Sequence, residues 1–256
     1  MFKDIKSKIS NNIIGNDEKI KISLAAIMSG GHILIEDLPG TGKTTFAKCI
    51  TAALNLDFKR IQFTSDLLPS DILGFNFLLN DNFEIKKGPI FTNIVLADEL
   101  NRASPKTQSA FLEAMEEKSV TIDRDTFKLP DPFIVIATQN PSDLSGTSLL
   151  PESQLDRFMI SFSLDDLTAE QQLNLLKNEN QLEINRNTLF DIKNLIYQKT
   201  ININDVVYKY IQEIKKFIFA KFPEVHISSR CLKQIIAISK SLATINGKDY
   251  VTIQDI

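Results

Sequence analysis

The stretch His32-Ile33-Leu34-Ile35-Glu36-Asp37-Leu38-Pro39-Gly40-Thr41-Gly42-Lys43-Thr44-Thr45 decides the fold. Its first five residues form an apolar run of strand length. Residues 44–54 place apolar side chains three and four apart, the spacing of a helix. A glycine-bearing turn between a strand and a helix is where backbone N–H groups can face one centre. The helix N-terminus adds positive potential there, so the centre favours an anion such as a phosphate. Pro39, Gly40, Thr41, Gly42, Lys43, Thr44 and Thr45 are the candidate nucleotide contacts. Lys43 would reach the β- and γ-phosphates of ATP, and the Thr44 hydroxyl would hold Mg2+. One departure stands out: Asp37 occupies the position where such loops usually carry their first glycine.

Outward from the loop, residues 59–64, 92–97 and 133–138 read as further buried strands, and 104–118 reads as a helix. Ser104-Pro105 suits that helix's start, a capping hydroxyl followed by a proline whose missing N–H costs nothing. Strands alternating with helices imply an α/β fold, a parallel sheet covered on both faces. The second strand run ends in Asp98-Glu99. Acids at a strand's carboxyl end face the crevice where such sheets bind ligands. Asp98 is then the second candidate metal residue, and Glu99 the candidate base that polarises an attacking water. Asn140, after the run 133–138, is a candidate contact to the γ-phosphate or the water, or a turn former before Pro141. Gln62 ends a strand nearby and could couple ligand state to Glu99.

Residues 75–78 and 83–86 alternate around Asn80-Asp81-Asn82, a hairpin pattern. Residues 120–122 and 127–129 flank Asp123-Arg124-Asp125 and read as a second hairpin. After about 164 the strand-like runs stop. Residues 168–178, 187–199, 204–222 and 228–245 read as helices. The division is therefore an α/β core over 1–164, with inserts near 75–86 and 120–129, and a helical domain over 165–256.

Composition excludes other classes. The 256 residues are 43% hydrophobic and 24% charged, ordinary for a globular chain. With 29 basic and 32 acidic residues the net charge is −3, which disfavours nucleic acid as the principal partner. Two cysteines, Cys49 and Cys231, and two histidines, His32 and His226, have no metal-site spacing. Both cysteines read as packing residues. No signal peptide and no membrane span are legible, so a cytoplasmic location is expected.

Four longer strings carry a family resemblance: Phe58-Lys59-Arg60-Ile61-Gln62-Phe63-Thr64-Ser65-Asp66-Leu67-Leu68-Pro69-Ser70-Asp71, Leu96-Ala97-Asp98-Glu99-Leu100-Asn101-Arg102-Ala103-Ser104-Pro105-Lys106-Thr107-Gln108, Ala137-Thr138-Gln139-Asn140-Pro141 and Leu150-Pro151-Glu152-Ser153-Gln154-Leu155-Asp156-Arg157-Phe158. With the phosphate loop, they make residues 13–256 resemble the MoxR-type AAA+ ATPases, of the helix-2-insert branch. The resemblance implies Mg-dependent ATP hydrolysis, a hexameric ring of identical subunits, and a chaperone role on a protein partner, often one with a von Willebrand A-type domain. It identifies the two hairpins with the family's inserts and the helices after the core with its lid. It assigns Arg157 as an arginine finger acting on a neighbouring subunit's nucleotide, with a surface pair to Asp156 as the alternative. It assigns Arg230 as the lid's second sensor, although His226-Ile227-Ser228-Ser229-Arg230 departs from the family's usual loop. Gly15 matches the stretch that contacts the adenine end, or is a turn. The family usually extends further, which reads 250–256 as the start of a last lid helix cut short. A nucleic-acid-dependent motor and a nucleotide-gated binding module are the alternative functions.

Overall fold

A computed structural model describes residues 9, 13, 15–37, 40–54, 56–140, 150–165, 168–171, 173 and 201–256. Helix α1 (Asp17–Met28) leads into strand β1 (His32–Glu36), and after the loop comes α2 (Lys43–Leu54). Strand β2 (Phe58–Gln62) and the short α3 (Pro69–Leu73) precede a hairpin of β3 (Gly74–Leu79) and β4 (Asn82–Lys87). Strand β5 (Ile94–Asp98), α4 (Pro105–Glu117), a second hairpin of β6 (Ser119–Ile122) and β7 (Asp125–Lys128), and β8 (Ile134–Gln139) follow. A one-turn α5 (Glu152–Leu155) precedes β9 (Phe158–Phe162). The C-terminal part holds α6 (Asp205–Lys221) and α7 (Ser229–Ile245).

Five strands form one parallel sheet in the order β2-β5-β8-β1-β9. The chain crosses from β1 to the β2 edge and later from β8 past β1 to β9. Strand order therefore reverses beside β1, and the crevice at the carboxyl ends there is where an open α/β sheet binds its ligand. Every residue of β5 and β8 is buried, as a central parallel strand requires. Leu34, Val95 and Val135 face Phe111 and Leu112 of α4. Ile33, Ile35, Leu96 and Ile136 face the other way, onto α1 and onto Phe46 and Ile50 of α2. A separate small cluster, Ile201, Val207, Ile211, Ala243 and Val251, holds α6 to α7. Helix α7 also packs on α1 and β9, and Ser241 Oγ lies 2.8 Å from Ser29 Oγ.

The first hairpin turns on Asn80 and Asp81 alone, both at positive φ (49° and 61°), the twist a two-residue turn needs. In the second, Asp123 takes φ 54°. Three features depart from the sequence reading. Strand β9 was not foreseen: it is an edge strand, only its first residue is fully buried, and its polar Ser161 donates to Glu36 Oε1 at 2.6 Å. Helix α1 was not foreseen either, because its first turn is charged and its apolar residues crowd the second half. The stretch expected to begin a last helix is a single 3-10 turn, Ile253–Asp255, where buried Asp255 receives Thr252 N–H, Thr252 Oγ1 and Lys248 Nζ. The expected helix over 187–199 and the end of that over 168–178 lie outside the described residues. Among the described residues, no helix is long and apolar enough to cross a membrane.

Candidate functional site

The carboxyl edge of the sheet gathers the candidates from three strands. Gly40 and Gly42 both hold left-handed backbone, φ 85° and 90°. A Cβ on either would meet nothing within 4 Å. Glycine is thus demanded by backbone direction rather than crowding, and the space over the loop is open to a ligand. Pro39 lies outside the described residues. Lys43 opens α2, and its Nζ donates to the Asp37 carbonyl at 2.8 Å. Burial pushes the Lys43 ammonium below its ordinary pKa, while Asp37, Asp98 and Glu99 pull it back up. All three acids thus act on the lysine's charge. Thr41, Thr44 and Thr45 are half-buried along the same turn.

Asp98 closes β5 and is 7% exposed. Its Oδ1 accepts from Thr138 Oγ1 at 2.6 Å, and its Oδ2 accepts from Arg60 Nε at 3.0 Å and Nη2 at 2.6 Å. Glu99 sits in left-handed backbone (φ 57°, ψ 46°), a conformation costing a non-glycine residue about 1 kcal/mol. The Glu99 N–H donates to Thr138 Oγ1 at 2.9 Å, so one hydroxyl both orients Asp98 and fixes the turn that aims Glu99. Glu99 Oε2 accepts from Gln62 Nε2 at 2.7 Å and lies 3.4 Å from Arg102 Nε. Gln62, expected to couple ligand state to Glu99, is in direct contact with it. Asn140 follows β8 at the same edge, where its carbonyl accepts from Asn101 Nδ2 at 3.4 Å.

Thr138, Arg60 and Arg102 have no role in the sequence reading, although all three lie inside strings it quotes. The signal was available in the pairing. Gln62 faces Asp98 across β2 and β5, so Arg60, two residues back, shares that face. Among the described residues no group of three or more His, Cys, Asp or Glu could hold a metal alone. Asp98 and the Thr44 hydroxyl are hard oxygen donors, and the open space above the loop leaves room for phosphate and water oxygens. That donor set fits magnesium, which keeps several waters and shares phosphate oxygens.

The remaining candidates lie elsewhere. Arg157 immediately precedes β9, whose Phe158 pairs with His32, the first residue of the parallel β1. Arg157 is therefore at the amino edge, while the loop leaves the carboxyl edge. Six residues of strand rise separate them, roughly 20 Å. Helix α4 runs back along the sheet and brings Glu116 to this amino edge, where Arg157 Nη2 lies 3.0 Å from Glu116 Oε2. Arg230 Nη2 bonds the other oxygen of Glu116, and its Nη1 lies 3.7 Å from Asp156 Oδ2. Asp156 also accepts from Ser228 Oγ at 2.7 Å. Arg157 and Arg230 thus share one carboxylate, which sequence spacing could not reveal. Gly15 takes φ +81°, and a Cβ there would come within 3.0 Å of Gln171 Nε2. Asn16 Oδ1 accepts the Asp165 N–H at 2.9 Å, so this stretch abuts the start of the C-terminal part. Cys49 is buried in the core, and burial pushes its thiol up to about 11, which makes it a packing residue.

Residues 32–160 match the family described as the ATPase family associated with various cellular activities (AAA). The chain is 40% identical to the uncharacterized protein YeaC of Bacillus subtilis (strain 168), over 97% of this chain and 80% of the other. It is 33% identical to Chaperone MoxR1 of Mycobacterium tuberculosis, over 97% and 70%. A crystal structure of a candidate ATPase from Cytophaga hutchinsonii superposes with a TM-score of 0.87 at 36% identity, covering 99% of this chain and 82% of that one.

Proposed function

The chain belongs to the MoxR-type AAA+ ATPases, and from that premise we propose that it hydrolyses ATP with magnesium in a hexameric ring of identical subunits and uses the cycle to remodel a partner protein. The observation that carries this is the convergence of Lys43, Asp98, Glu99 and Thr138 under two left-handed glycines. Backbone N–H groups of 40–44 and Lys43 take the phosphates. Thr44 and Asp98 hold magnesium, which neutralises phosphate charge. Glu99 polarises the water and Asn140 orients it. Gly15 lines the adenine end, between the core over 1–164 and the lid over 165–256.

Arg157 and Arg230 serve the neighbour. Both stand at the amino edge of their own sheet, which supports action on a nucleotide bound by the adjacent subunit. Because a relative is named a chaperone, a protein is the favoured client, with a von Willebrand A-type domain as the candidate partner. The cytosol is the proposed compartment. Net charge −3 offers no basic surplus for a nucleic-acid track.

Lys43→Ala tests the reading. The variant keeps the apolar core and loses the charge aimed at the phosphates, so it should fold normally and bind ATP at least tenfold more weakly, by roughly the worth of a hydrogen bond to a charged group. Equal affinity for ATP in titration calorimetry overturns the assignment.

A further inference from the structure

Arg60 has no part in the proposed cycle, yet it bonds both Asp98 and Gln62 at the carboxyl edge. We propose that Arg60 is a positioning residue: it stands in for magnesium on Asp98 until the metal arrives. The inference rests on the reading of Asp98 as the metal residue.

The geometry is a continuous chain of four side chains. Arg60 Nε and Nη2 both donate to Asp98 Oδ2, at 3.0 and 2.6 Å. The same Nη2 donates to Gln62 Oε1 at 2.6 Å, which fixes the amide with its nitrogen toward Glu99. Gln62 Nε2 then donates to Glu99 Oε2 at 2.7 Å. Both Asp98 oxygens are committed, Oδ1 to a neutral hydroxyl and Oδ2 to a cation. A dication approaching this carboxylate is repelled by the guanidinium. Relief comes from Arg60, because its side chain is half-exposed while that of Asp98 is buried. Arg60 can move into water and keep its hydration, whereas the buried carboxylate stays and takes the metal.

A magnesium titration of binding of a fluorescent, non-hydrolysable ATP analogue tests this without reading hydrolysis. In Arg60→Met the competing cation is gone, so the magnesium midpoint should fall about tenfold, the worth of a hydrogen bond to a charged group. Arg60→Lys keeps the charge without the fork and should fall between wild type and Arg60→Met. An unchanged or raised midpoint in Arg60→Met overturns the inference, because a merely structural arginine gives no gain in metal affinity when lost. If thermal melting shows Arg60→Met unfolded, Arg60→Lys decides by the same criterion. A wild-type chain that binds no analogue at any magnesium concentration overturns the nucleotide-site reading itself, together with this one. A wild type that binds while the Arg60 variants keep its midpoint overturns this inference alone.

Discussion

The two edges of one sheet are built differently. At the carboxyl edge the charged groups come from consecutive strands and the turns that end them, and each is held by a partner on an adjacent strand: Asp98 by Arg60 and Thr138, Glu99 by Gln62. At the amino edge the charges come from distant places. Glu116 lies in the last turn of α4, Asp156 and Arg157 precede β9, and Arg230 lies on α7. The first arrangement is rigid because it is part of the sheet's own register. The second is a meeting point of the sheet and the C-terminal helices, so its geometry depends on how α7 lies against α1 and β9. The proposed chemistry needs both edges, and roughly 20 Å of strand keeps one chain from supplying both to one phosphate.

The sharpest way to break this comparison is to disable each edge separately. Arg157→Ala should bind ATP as wild type does and lose about 10³–10⁵ in hydrolysis, the measured range for arginine fingers in related chemistry. Glu99→Gln should also bind ATP and lose about 10²–10⁴, the usual worth of a positioned base. Mixing the two variants pairs an intact Glu99 with an intact Arg157 at some subunit boundaries. Partial return of activity on mixing, with a specific rate that rises with protein concentration, supports a shared site. A concentration-independent rate with Arg157→Ala fully active would mean that the amino edge has no part in hydrolysis.

The same contrast explains what the sequence disclosed. The carboxyl edge was legible because a parallel strand's last residues and the following turn are contiguous: Asp98-Glu99 and Gly40-Thr41-Gly42-Lys43 can be read from short strings. Strand and helix periods then gave four of the five strands within one or two residues. Cross-strand partners were less legible. Thr138 and Arg60 matter through register, which requires knowing that β5 lies between β2 and β8. The amino-edge cluster was not legible from spacing, since Glu116 and Arg230 are brought together by packing of separate helices. Strand β9 was missed although Phe158, Met159, Ile160 and Phe162 are apolar, because its first residue closes the Leu155-Asp156-Arg157-Phe158 string and the run was not read as a strand of its own.

A smaller effect tests how the amino edge is anchored to the sheet. His32 begins β1, accepts the Val135 N–H at Nδ1 (3.0 Å), and its Nε2 lies 3.3 Å from the Met115 carbonyl, next to Glu116. Burial is the main cause that drives its pKa from 6.5 down to about 4; the bond to Met115 opposes it, and Lys118 adds to it. The unfolded chain therefore binds the extra proton first as pH falls. Stability is complete above about 6.5 and declines toward about 4, by about 3 kcal/mol in all. Denaturant unfolding at stepped pH should show that slope, and His32→Gln should flatten it while lowering stability at pH 7. An unchanged slope in the variant would move the cause to another group.

The smallest expected effect asks whether the α7 side of the amino edge can be loosened without disturbing the loop. Ser228 caps α7 by accepting the Cys231 N–H at 2.9 Å, and it donates to Asp156 Oδ1 at 2.7 Å. One hydroxyl thus starts the helix that carries Arg230 and ties it to the residue before Arg157. Ser228→Ala removes the cap at a cost of about 1 kcal/mol, which lowers the melting midpoint by about 2–4 °C for a domain of 150–250 residues. Ser228→Thr keeps the oxygen and should restore most of it. Because the phosphate loop lies at the other edge, ATP affinity should stay within twofold of wild type, while the Arg157-dependent rate falls several-fold as Asp156 loses its tether. An equal fall in ATP affinity would mean that the two edges are mechanically one unit, and the division between a register-built edge and a packing-built edge would have to be abandoned.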